Sequence, residues 1–173
     1  MLTVFYTGRK NGWVLVLLVA MVASCHTGTD TGTTQFSAEQ SALVRDSVRQ
    51  LAEGISRDVS HDGPAAWLKY FEVSPEFYMA SEGACVFPDI NSATGFINKT
   101  LIKEVHSIQL RWSDLRIDPY SPFLAGMAAT YHEDLTDTSG KVISEDGYFT
   151  GTAEKTAAGW QLRNAHWSTR KGK

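Results

Sequence analysis

The chain is short of the residues that usually announce chemistry. Only two cysteines occur among its 173 residues, Cys25 and Cys85, so a thiolate-rich zinc pattern is excluded and one internal disulfide is the most it could form. There is no phosphate-cradling glycine loop, dinucleotide fingerprint or nucleophile elbow. Positive charge is not in excess either: 16 Lys and Arg stand against 19 Asp and Glu, a formal net charge of −3. Without a basic stripe to neutralise phosphates, nucleic acid is not an expected partner. The last absence is local, because residues 1–24 contain no acidic side chain at all.

That acid-free stretch carries Arg9 and Lys10 and then an apolar run from Trp13 to Ala23. A basic segment followed by about 7–15 apolar residues is the layout of a secretory signal, and the run falls short of the roughly 20 residues that span a bilayer. It ends in Val22-Ala23-Ser24-Cys25, which resembles the bacterial lipobox. The resemblance implies removal of residues 1–24 and lipidation of Cys25. The protein would then be exported and anchored to a cell-envelope membrane, on the periplasmic or extracellular side, touching lipid through that anchor alone. The other reading of the same residues is an uncleaved N-terminal anchor helix. Loss of Arg9 and Lys10 would leave 14 basic and 19 acidic residues, a charge of −5. With Cys25 lipidated, Cys85 has no disulfide partner and is expected to be a buried small hydrophobe.

Residues 25–35 are rich in Thr and Gly and read as a flexible tether. One module without internal repeats is expected over 36–170. Ser37-Ala38-Glu39-Gln40 fits a helix capping box with Phe36 as a hydrophobic staple. Val44, Val48, Leu51, Ile55 and Val59 then form one apolar stripe at spacings of three and four. A second helix is expected from Pro64, with Trp67, Leu68 and Phe71 on its apolar face. A strand at about 76–81, a turn at Ser81-Glu82-Gly83 and a strand near Cys85–Phe87 follow. A third helix is expected from about Ser92, with Ile97, Leu101 and Val105 four residues apart. Long strands are expected at 107–118, 122–136, 141–156 and 159–168, with turns at Asp137–Gly140 and Thr156–Gly159. This order implies an α+β fold, a mostly antiparallel sheet with helices on one face.

The C-terminal residues Tyr148-Phe149-Thr150, Lys155, Gly159-Trp160-Gln161-Leu162 and His166-Trp167-Ser168 resemble the ending of SnoaL-like domains. They are similar also to calcium/calmodulin-dependent kinase association domains, another branch of the nuclear transport factor 2-like (NTF2-like) superfamily. The resemblance implies a cone in which a strongly curved sheet wraps the first helix and leaves a pocket at its open end. It also implies a small-molecule ligand and a homodimer formed through the sheet's outer face, with no cofactor expected. Where the kinase association domains have pocket arginines, this chain has Trp167, Gly151 and Tyr131, so the resemblance implies an aromatic, less polar pocket in place of an anion site.

On strand 122–136, alternation puts Phe123, Ala125, Met127, Ala129, Tyr131, Glu133 and Leu135 on the more apolar, inward face. Parity does not decide which face of the last strand is concave, because a bulge would reverse it. A cone filled by its own side chains would make the domain a non-catalytic assembly module. If it is instead an enzyme, of the ketosteroid-isomerase or dehydratase kind, His166, Tyr131 and Glu133 are the candidates for proton transfer. Their plainer readings are a histidine holding the last strand in place, a core tyrosine and a solvated strand-end carboxylate. Trp167, Trp112, Tyr78, Asp58 and Phe149 are the candidates for contacting a ligand, Asp58 and Tyr78 because the resemblance puts them nearest to where ketosteroid-isomerase-like members carry their carboxylates. His132-Glu133-Asp134 cannot converge on one ion, since neighbours along a strand face opposite ways, so no metal site is expected.

Overall fold

The first helix begins where its capping residues predict. In the computed structural model, which describes residues 36–170, Ser37 Oγ accepts the Gln40 N–H at 3.0 Å and Gln40 Oε1 accepts the Ser37 N–H at 2.9 Å. These two bonds open α1, Ala38–Asp62. The expected signal, Cys25 and the tether lie outside the described residues. Val44, Val48, Leu51, Ile55 and Val59 are all buried, each contributing a gross transfer free energy of about 1.5–3 kcal/mol. Gly63, at φ +79°, ends the helix.

The expected second helix is a single 3₁₀ segment, Pro64–Lys69. It stops because the chain is drawn into the sheet: Leu162 donates to Tyr70 O at 2.7 Å and Glu72 donates to Leu162 O at 2.9 Å. A short hairpin follows, β1 (Tyr78–Ser81) and β2 (Ala84–Phe87). Its two-residue turn holds Glu82 and Gly83 at positive φ, +49° and +83°, which suits the right-handed twist of the strands. Cys85 is exposed, not buried; β2 is the last strand of the sheet and little covers it.

The third helix starts at an Asp89 cap, whose Oδ1 accepts the Ser92 N–H at 2.7 Å. It runs as α2 (Ile90–Phe96), a π turn (Ile97–Leu101) and α3 (Ile102–Glu104). Val105 already belongs to β3 (Val105–Ser121), followed by β4 (Leu124–Asp137), β5 (Val142–Thr156) and β6 (Gly159–Thr169). The six strands form one sheet in the order β2-β1-β6-β5-β4-β3. Every pairing is antiparallel except β1 with β6. The α+β expectation holds, with a curved, unclosed sheet packed on α1. Phe123 is the exception to the expected inward set: it sits in the β3–β4 turn and is 61% exposed.

Two bulges set which residues face the core. On β3, Ser113 pairs with Thr130 and Arg116 with Ala128, so one extra residue is inserted, with Asp114 at φ +50°. On β6, Asn164 pairs with Thr152 but Leu162 with Ala153, which leaves Arg163 unpaired. Each insertion reverses the parity of its strand. Leu162 and Ala165 can therefore both be buried although three positions separate them.

The helix is stitched to the free edge of β3. Ser60 Oγ accepts the Leu110 N–H at 3.0 Å, Ser56 Oγ donates to Leu110 O, and Trp112 Nε1 donates to Ala52 O at 2.9 Å. Among the described residues no helix is long and apolar enough to cross a membrane.

Tight packing between β4 and β5 yields a stability prediction. A Cβ on Gly147 would lie 2.3 Å from Ser168 O and 2.5 Å from the ring of Tyr131, its cross-strand partner. Gly147→Ala is therefore expected to destabilise the domain by about 1–3 kcal/mol, read as a lower urea midpoint at unchanged slope. An unshifted midpoint would show that this contact is not tight.

Candidate functional site

The alternation that buries Ala125, Met127, Ala129 and Tyr131 on β4 carries on to Glu133 and Leu135. It brings Tyr131, Glu133 and Leu135 to a cavity of about 250 Å³. Ligand pockets usually measure about 300–1,000 Å³, so this one suits a small molecule. Its aromatic wall is Trp67, Phe71, Phe87, Phe96, Tyr131 and Trp167. Ile97 and Leu101, the ends of the π turn, line it from the helical side, and such turns often mark functional sites. No Lys, Arg or His lines the cavity.

Trp167 is the best-supported of these groups. Its ring stands edge-on to Tyr131 at 4.8 Å, Phe149 at 4.9 Å and Trp67 at 5.5 Å, and stacks on Trp112 at 5.7 Å. The Tyr131 hydroxyl shares a 3.2 Å hydrogen bond with Thr169 Oγ1, and burial raises its pKa above the ordinary value. Behind Thr169, Glu82 Oε1 accepts its N–H at 2.6 Å.

Glu133 sits directly across from Glu145 on β5, and both line the cavity. Facing residues in a sheet have their Cβ atoms about 4.5–5.5 Å apart, and like charges there are unfavourable. Neither carboxylate has a hydrogen bond or ion pair among the described residues. Burial first, and then the charge of Glu145, push the Glu133 pKa up from 4.5 to about 7. Near neutral pH that carboxyl can give or take a proton.

The sequence candidates divide three ways. Tyr131, Glu133 and Trp167 meet in the cavity. Phe149 is fully buried and Trp112 half-buried, and both support Trp167 without lining the cavity. The other three lie elsewhere. His166 is exposed on the opposite face of β6, since Ala165 and Trp167 point inward on either side of it. Tyr78, 47% exposed, begins β1 on the outside. Asp58 belongs to a surface group in which the Tyr70 hydroxyl donates to it at 2.7 Å; that bond, with help from Arg57 and Lys69, holds its pKa low. Gly151 has no room for the arginine of the kinase domains, because a Cβ there would meet Asn164 O at 2.7 Å.

Sequence reading missed Glu145, although the hairpin turn at 137–140 sets the register that pairs it with Glu133. Counting on from the Thr136–Val142 pair, the third pair along is Glu133–Glu145. On the outer face His132 lies between Asp146 (2.9 Å) and Asp134 (3.3 Å), which raise its pKa, the Asp146 hydrogen bond most. No group of three or more His, Cys, Asp or Glu among the described residues is placed to hold a metal.

With fold and cavity in view, the chain can be set beside known proteins. No family model and no curated protein matches it. Solved structures do. A nuclear transport factor 2-like superfamily protein from Salmonella enterica serovar Typhimurium aligns at 16% identity over 76% of this chain and 94% of its own, TM-score 0.65. A hexachlorocyclohexane dehydrochlorinase from Novosphingobium barchaimii aligns at 12% identity over 78% and 92%, TM-score 0.62. A nuclear transport factor 2-like protein of unknown function from Shewanella oneidensis aligns at 19% identity over 72% and 98%, TM-score 0.55. Residues 36–170 have the nuclear transport factor 2-like fold. At these identities the likeness speaks for the fold alone.

The Glu133 environment predicts a pH signature. A carboxyl whose pKa is raised by folding keeps its proton in the native state between pH 4.5 and about 7, where the unfolded chain has lost it. Its contribution to stability is therefore fully present below pH 4.5 and declines as pH rises through that window. Relative to the parent, Glu133→Gln should gain about 2–3 kcal/mol between pH 4.5 and 8, measured by urea denaturation. Parallel pH profiles for the two proteins would mean that Glu133 ionises freely.

Proposed function

We propose that the protein is an exported, lipid-anchored domain whose cone binds a small, largely apolar molecule. The observation that carries the binding reading is the 250 Å³ aromatic cavity at the open end of the fold. Its wall is mostly apolar, with Ser81, Thr169, Tyr131 and the two glutamates as its polar groups, the composition of a pocket that orients one polar end of a ligand. Pairing of two copies through the outer face of the sheet belongs to the same proposal.

A second reading is a proton-transfer enzyme of the isomerase or dehydratase kind. It is favoured by a near-neutral Glu133 sharing the cavity with the Tyr131 hydroxyl. Glu133 would move the proton and the phenol would stabilise an oxyanion. His166, exposed on the other face, has no part in it. Binding ranks first because the Tyr131 hydroxyl is held by Thr169 and the cavity contains no nucleophile–base pair.

Calorimetry with 3-phenylpropan-1-ol tests the pocket, using the full chain carrying Cys25→Ser. Leu101→Trp, which fills the cavity, should weaken binding at least tenfold, whereas His166→Ala should change neither affinity nor stability by more than about 0.5 kcal/mol. Equal affinity in the Leu101→Trp protein would place the ligand elsewhere and end the pocket proposal.

Anchoring has its own test. Feeding expressing bacteria radioactive palmitate should label the parent and not Cys25→Ser, and the mass of the parent should show that residues 1–24 are gone. An unlabelled parent that keeps residues 1–24 would instead favour an uncleaved anchor.

A further inference from the structure

Ligand charge can be argued from the same cavity, on the reading that it binds a small molecule. Its wall combines six aromatic rings with two carboxylates and no cationic side chain. An anionic ligand would meet Glu133 and Glu145 with nothing to neutralise it. A neutral ligand would displace water and leave two unpaired carboxylates facing each other across β4 and β5, at a cost in desolvation. A divalent metal ion would need at least about four ligands, and among the described residues no third His, Cys, Asp or Glu is placed to join the two glutamates. An organic cation satisfies both halves of the site. Its charge compensates the carboxylates while its apolar body lies against the rings, whose faces attract cations.

We infer that the natural ligand is a small organic cation, an amine or quaternary ammonium compound with an apolar body, held between the Glu133–Glu145 pair and the Trp67, Tyr131 and Trp167 rings. Tyr131 and Trp167 pack edge to face, 77° between planes, and both line the cavity with Glu133 and Glu145.

Binding should also depend on pH. The titratable groups around Glu133 are Glu145 opposite it, Tyr131 on its own strand and Glu82 behind Thr169; the facing residues of β3 and of the helical side, Leu110, Ile97 and Leu101, are apolar. With the Glu133 pKa at about 7, a cation that binds only the ionised form loses about tenfold in affinity from pH 8 to pH 6.

The experiment compares one carbon skeleton in three charge states by calorimetry at pH 8, again with the full chain carrying Cys25→Ser. The probes are 3-phenylpropylamine, 3-phenylpropan-1-ol and 3-phenylpropanoate, with benzyltrimethylammonium as a cation that cannot titrate. The expected order is amine and quaternary ammonium at least tenfold tighter than the alcohol, and the carboxylate weakest. Glu133→Gln and Glu145→Gln should each remove most of that preference, so that the ratio of cation to alcohol affinity falls toward one. For benzyltrimethylammonium, the pH 8 to pH 6 loss should vanish in Glu133→Gln. If the alcohol binds as tightly as the cations, the charge inference is overturned and the apolar-pocket reading stands. If none of the four binds, both fail together.

Discussion

The free edge of β3 is the constraint on which the rest of the structure depends. An uncovered edge strand exposes a row of backbone donors and acceptors, and leaving a buried one unpaired costs about 1–3 kcal/mol. Here the N–H and the carbonyl of Leu110 are both met by serine hydroxyls of α1, Ser60 and Ser56. Trp112 adds a third tie by donating to Ala52 O. These bonds locate the helix along the sheet, and the stripe from Val44 to Val59 then fills the concave side. Because the helix covers only part of that side, the far ends of the strands enclose a hollow with the π turn of the third helix.

Rigidity at the hollow comes from aromatic packing. Trp112, tied to the helix, supports Trp167, and Trp167 meets Tyr131, Phe149 and Trp67. Cross-sheet pairs of this kind add about 0.5–1.5 kcal/mol each beyond the area they bury. The apolar surroundings that result raise the pKa of Glu133. A carboxyl that costs stability when ionised, facing a second carboxyl, is the opposite of what a core requires. Strain of this kind is expected where a site must meet a ligand.

The site was partly legible in the residues. Tyr131 and Glu133 could be placed inward because β4 has no bulge between Ala125 and Leu135, so its period of two runs unbroken to the cavity. His166 could not be placed, because its face depends on the extra residue at Arg163, and no local signal marks that bulge. Asp58 and Tyr78 were chosen by position within the resemblance, and the structure puts both on the surface. The second helix was misjudged for a related reason: the apolar spacing of Trp67, Leu68 and Phe71 is helical, yet backbone pairing with Leu162 takes over at Tyr70.

The amino-acid order alone determined what depends on neighbours within a few residues. It set the capped first helix, the turns and the six-strand count, since capping, turn chemistry and alternation act over less than a dozen positions. Only the tertiary structure decided which side of β6 faces the hollow, and that four rings converge on Trp167. Those outcomes follow from bulges and strand register, which are chosen by how the whole sheet bends around α1.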